Sequence, residues 1–102
     1  MIFVEAKEND GWTALMFAAQ GGHAAAIAAL LAAGAEVEAK RNDDGRTALM
    51  RAAEGGHAAA IEALVAEGAE VQARDDKGKT ALEIAELCKH EHAARLLRRD
   101  AM

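Results

Sequence analysis

The protein has 102 residues and a formal charge of −5, from 12 Lys+Arg against 17 Asp+Glu. That length holds one compact domain rather than two, and the acidity excludes a general nucleic-acid binder, which carries a basic surface. Apolar residues reach 52%, too many for a disordered chain. However, 28 residues are alanine, which favours helix but contributes little buried area. The composition is that of a helix-rich protein with a thin core.

From the N-terminus, Asp10-Gly11 punctuates a turn and Thr13 stands where an N-cap would lie, before a short Ala/Leu/Met run. Gly21-Gly22 breaks that helix. A second helix is predicted from about Ala24 to Ala33, with Ile27, Leu30 and Leu31 on one buried face and Gly34 as its C′ stop. The same order then returns. Asp44-Gly45 marks a turn, Thr47 a cap and Gly55-Gly56 a break. A helix follows from about Ala58 to Glu67, with Ile61, Leu64 and Val65 buried and Gly68 as its stop. Residues 10–40 and 44–74 are identical at 23 of 31 positions. A looser third copy starts at Lys77-Gly78, with Thr80 as the cap, and Glu91 to Arg99 reads as a terminal helix with a polar outer face. The repeat offset changes from 34 to 33 between copies, which places one inserted residue among Lys40 to Asp44, in a polar turn.

A single unit of this kind cannot bury its apolar face, whereas stacked units bury a continuous strip. Ala18, Ala19, Ala52, Ala53 and Ala85 are then expected to act as close-packing spacers.

The pattern Gly11-x-Thr13-Ala14-Leu15-Met16-x-Ala18-Ala19, then Gly22-His23, then Leu30-Leu31-x-x-Gly34-Ala35-Glu36-Val37-x-Ala39 resembles the ankyrin repeat. The resemblance covers residues 4–99. It implies an all-α repeat solenoid, a stack of helix-turn-helix units joined by β-turn fingers. The chain divides into the tail of a preceding repeat (1–8), repeat 1 (9–41), repeat 2 (42–74) and a C-terminal capping repeat (75–102). Ala replaces the family's Pro at Ala14, Ala48 and Ala81. Met16 and Met50 replace its usual His, so the Thr–His side-chain bond is expected to be absent. Glu38 and Gln72 stand where many members carry Asn, which argues against functions that need that Asn.

The resemblance also implies a protein-binding module that uses its turn tips and first helices. The corresponding residues are Asn9, Asp10, Trp12, Met16, Phe17 and Gln20, with Gly21, in repeat 1. In repeat 2 they are Asp43, Asp44, Arg46, Met50, Arg51 and Glu54, with Gly55. In repeat 3 they are Asp76, Lys77, Lys79 and Leu87, with Cys88. Both signs of charge occur, so no single charge steers the partner. Trp12 corresponds to Arg46 and Lys79, so an exposed finger position is expected, where Trp is a typical anchor. The alternative is a ring lying over Met16 or the neighbouring turn. Phe17 corresponds to Arg51 and Ile84 and reads equally as edge packing or as a contact.

Catalysis is not expected. Serine is absent, Cys88 lacks a supporting triad, and no G-x-x-x-x-G-K-[ST] loop occurs. Cys88, His90 and His92 lack further ligands at zinc spacing, and the Gly-His histidines read as structural, so neither metal nor cofactor is expected. No apolar run approaches the ~20 residues of a membrane span. The single cysteine and the lack of a signal-like N-terminus favour an intracellular, cytoplasmic protein with no nucleic-acid or membrane partner. The N-terminal edge shows no polar cap. Two readings follow: a piece of a longer array, including a regulatory segment of a multidomain protein, or an edge that packs on another molecule. The second admits a self-assembling module or homo-oligomer. The exposed alanines of the second helix (Ala24, Ala25, Ala28, Ala32 and Ala33) are read as propensity filling, with a helix-docking surface as the alternative. The near-identity of two repeats also admits a designed or recently duplicated sequence.

Overall fold

A computed structural model describes residues 12–41 and 43–100. Six helices follow one another: α1 (Ala14–Gln20), α2 (Ala24–Ala32), α3 (Ala48–Gly55), α4 (Ala58–Ala66), α5 (Ala81–Leu87) and α6 (Glu91–Asp100). They form three antiparallel pairs. α1, α3 and α5 pack side by side in one layer, and α2, α4 and α6 in the other. No strand occurs among the described residues.

Local chemistry sets each boundary. Thr13, Thr47 and Thr80 hold extended backbone, and their hydroxyls accept from the amides of Met16, Met50 and Glu83, satisfying an orphan donor of each first turn. The Thr–His bond of the family has substitutes. The Thr47 amide donates to Met50 Sδ at 3.5 Å, and the Thr80 amide to Glu83 Oε1 at 3.1 Å, completing a capping box. α2 and α4 end in Schellman motifs. Gly34 donates to Leu31 and Ala35 to Leu30, while Gly68 donates to Val65 and Ala69 to Leu64.

The core runs through all three pairs. Ile27, Ile61, Leu64 and Leu97 fill the space between the layers, with Leu15, Leu49 and Ile84 from the first-helix row. Ala19, Ala52, Ala53 and Ala85 are completely buried and Ala18 nearly so, which lets neighbouring first helices approach closely. The histidines stitch one pair to the next. His57 Nε2 donates to the Gln20 carbonyl at 2.8 Å, and His90 Nε2 donates to the Glu54 carbonyl at 2.9 Å. Each ring therefore lies against the glycine turn of the preceding unit. A Cβ on Gly22 or Gly56, both at positive φ, would stand 2.6 Å from the His57 or His90 ring.

The fingers differ by one residue, as the change of offset requires. In the third, Asp75 N donates to the Lys79 carbonyl and Gly78 N closes back on the Asp75 carbonyl, a four-residue β-turn. In the second, Arg41 N donates to the Arg46 carbonyl and Gly45 N closes on Arg41, one residue wider. The insertion thus lies between Arg41 and Arg46. Neighbouring fingers join where Asp76 N donates to the Asp44 carbonyl at 2.9 Å. The return loops join where Glu70 N donates to Glu38 Oε2 at 2.7 Å. Glu38, in the place of the family's Asn, still bridges repeats.

Candidate functional site

The site expected from the sequence lies along the fingers and the α1–α3–α5 row. At its first position the structure corrects the expectation of exposure. Trp12 is only 8% exposed. Its ring stacks on Phe17 with centroids 4.8 Å apart, and the guanidinium carbons of Arg41 and Arg51 lie 5.1 and 4.6 Å from its centroid. The indole carries more apolar area than the Arg or Lys at equivalent positions. It gains from lying flat between an aromatic ring and two cations. Neither cation is close to Trp12 in sequence: Arg41 reaches it from the end of the first repeat and Arg51 from the second.

Arg51 is the pivot of this region. It is 4% exposed, so it is not a free contact residue. Its Nη2 donates to Asp44 Oδ2 at 2.5 Å and its Nη1 to Glu54 Oε2 at 2.6 Å. The same Glu54 oxygen accepts from Arg46 Nη1 at 2.6 Å, and Arg46 Nε donates to Asp75 Oδ2 at 3.1 Å. A chain of alternating charge, Asp44–Arg51–Glu54–Arg46–Asp75, therefore ties the second finger to α3 and to the third finger. Pairing with hydrogen-bonded guanidinium forks is the geometry in which ion pairs contribute most.

These contacts set the ionisation of the carboxylates. Burial pushes Asp44 up, but the Arg46 amide and the Arg51 guanidinium outweigh it and hold the carboxyl below its ordinary value. Burial likewise opposes ionisation of Asp75. The Lys79 amide, the Arg46 guanidinium and the Lys77 amide prevail and lower it. Glu83 is lowered chiefly by the Thr80 amide.

The remaining nominated residues divide clearly. Met16 and Met50 are buried and belong to the stacking core, because the first-helix row closes over them. Asp43, Asp76, Lys77 and Gln20 are exposed, Lys79 is half-buried, and Leu87 is 64% exposed at the end of α5. Gly21, Gly55 and Cys88 are exposed as well. Asn9 and Asp10 lie outside the described residues. Sequence reasoning missed Glu86 and Glu83, which with Lys79 and Leu87 line an open groove of roughly 260 Å³. Glu83 stands where the other repeats carry buried methionine, and that substitution was the signal. Among the described residues, no group of three or more His, Cys, Asp or Glu side chains is arranged to hold a metal ion.

A sequence model of the ankyrin repeat matches residues 10–42, and one describing three successive ankyrin repeats matches residues 29–101. The chain belongs to the ankyrin-repeat family. No match is found among curated proteins. Ankyrin repeats are in general protein-interaction modules and are in general non-enzymatic. No described helix of this ankyrin-repeat chain is long and apolar enough to cross a membrane.

Proposed function

We propose that this ankyrin-repeat chain is a non-enzymatic module that binds a protein partner through the finger tips and the exposed ends of its first helices. The observation that carries the reading is Leu87. It is the most exposed large apolar side chain described, and it sits on the face formed by the first-helix row. An apolar group ringed by Lys79, Glu83 and Glu86 has the make-up of a small interface, an anchor with a polar rim. Asp43, Asp76 and Lys77 extend that face along the fingers. The charge chain behind them fixes its shape before binding, which lowers the ordering cost of association. The single, exposed Cys88 fits a reducing compartment, and we place the module inside the cell.

Leu87→Asp tests the reading. Its position is exposed, so the helical circular dichroism spectrum and the thermal midpoint are expected to change little. Partners recovered by affinity capture with the wild type are expected to be lost. Recovery of the same partners at undiminished yield by the variant overturns the assignment.

A further inference from the structure

The outer face of the second-helix row lies in the layer away from the binding face proposed above. Ala59, Glu62 and Ala66 of α4 are exposed although α2 and α6 flank that helix on both sides. These positions are therefore open to water in any unit of the stack, whatever lies before or after it. The corresponding residues are Ala25, Ala28 and Ala32 in α2 and His92, Arg95 and Arg99 in α6, and all of them are exposed as well.

Only in α6 is this face basic. Its other side buries Ala93, Ala94, Leu96 and Leu97. His92, Arg95 and Arg99 follow one another at steps of three and four residues, which sets them on one stripe about 10 Å long. Arg95, at the centre, makes no hydrogen bond or ion pair with the described residues. Arg99 Nε is 3.7 Å from Asp100 Oδ1, too long for a hydrogen bond. Glu91 and Arg98, seven residues apart, share the flank of the helix, where Arg98 already engages Glu86 at 3.0 Å. Arg98 and Arg99 stand in the last turn, where cations offset the helix dipole, but Arg95 stands before it and has no such role.

We infer that the outer face of α6 docks a short acidic segment of a partner protein, whose carboxylates pair with Arg95 and Arg99. Each guanidinium offers a planar fork that takes a carboxylate through two hydrogen bonds. Two forks one helical turn apart accept carboxylates about 6 Å apart, a spacing found along an acidic helix or between alternate residues of an extended strand. An extended polyanion fits worse. The chain carries −5 overall, and Glu62 on α4 and Glu91 on the flank of α6 border the stripe. A nucleic acid or an anionic bilayer reaching past the stripe meets those carboxylates, whereas a segment of a few residues does not. The inference is independent of the finger face, which belongs to the other helix layer.

Fluorescence anisotropy of a labelled oligoglutamate peptide, titrated with the 102-residue chain at low salt, tests it. The wild type is expected to bind the peptide and to release it as salt is added. Arg95→Glu is expected to weaken binding by about 10-fold or more. Its helical spectrum is expected to stay intact, because α4 already accepts Glu62 at the same position. Lys40→Glu, in an exposed return loop, changes the net charge equally and is expected to leave binding within about 2-fold of the wild type. Absence of wild-type binding overturns the inference, as does an Arg95→Glu protein that binds as tightly as the wild type. An equal loss in Lys40→Glu overturns it too, since net charge alone then accounts for the effect. Tighter binding to phosphatidylserine vesicles or to single-stranded DNA than to the peptide assigns the stripe to another class of partner and overturns it likewise.

Discussion

Lys89 holds the left-handed backbone conformation that Gly56 holds one repeat earlier, with φ of 62° against 68°. The reason a side chain is admitted at one site and not the other lies in the next repeat. At Gly56 the His90 ring occupies the space a Cβ would need, and at Gly22 the His57 ring does. No further repeat follows Lys89 among the described residues. Without such a ring over it among the described residues, the Lys89 position admits a side chain.

The left-handed conformation remains unfavourable for lysine. Lys89→Gly is expected to stabilise the protein by about 1 kcal/mol. Gly56→Ala is expected to destabilise it by roughly 2 kcal/mol or more, from backbone strain plus the displaced His90 ring. Urea midpoints at unchanged slope check both values.

Removing the imidazole of His90 leaves the Glu54 carbonyl without its stitch. His90→Ala is expected to cost on the order of 1–3 kcal/mol. Hydrogen exchange is expected to accelerate most in α5 and α6, which that bond ties to α3. An unchanged midpoint would show that water replaces the imidazole without loss.

Trp12→Ala is expected to cost about 3 kcal/mol, as for buried aromatics. Trp12 is the sole tryptophan, so its fluorescence reports on the first unit alone. Native emission should be shielded from acrylamide. Arg51→Met removes one of the two cations over the ring and two ion pairs, and should increase quenching without abolishing the fold.

Asp75 accepts from the Lys77 and Lys79 amides, each at 2.9 Å, and from Arg46, with its side chain 1% exposed. Asp75→Ala is expected to cost about 2–3 kcal/mol. The carboxyl is held below its ordinary value of 3.8. Its stabilisation is therefore complete above that pH and is lost as pH falls through the lower, folded value. Asp44 behaves in the same sense. The thermal midpoint of the wild type should fall steeply below about pH 4, and Asp75→Asn should fall less steeply from a lower start. Equal slopes would remove Asp75 from this account.

Much of the architecture was legible because it is periodic. Thr13, Thr47 and Thr80 stand at fixed spacing and cap their helices, and Gly34 and Gly68 end theirs. The insertion in the second finger followed from counting alone. The environment of Trp12 was not legible, because a repeat alignment compares positions with their counterparts and not with the units they touch. Arg51 reaches Trp12 from the second repeat and Arg41 from the far end of the first, whereas the charge of the tryptophan's counterparts Arg46 and Lys79 made the position look solvated. Met16 and Met50 were misassigned to the binding face for a related reason. The first-helix row has one side turned to solvent and another to the next repeat, and family correspondence alone does not tell them apart.

The widened second finger closes on the Arg41–Arg46 pairing at its base, and Asp44 anchors it to Arg51 of α3 and to the Asp76 amide. Residues added between Arg41 and Asp44, outside those anchors, are expected to lengthen the reach of that tip while leaving the supporting scaffold in register. Loop length there is set apart from the pitch of the stack, which makes the tip a natural graft point for new recognition sequences.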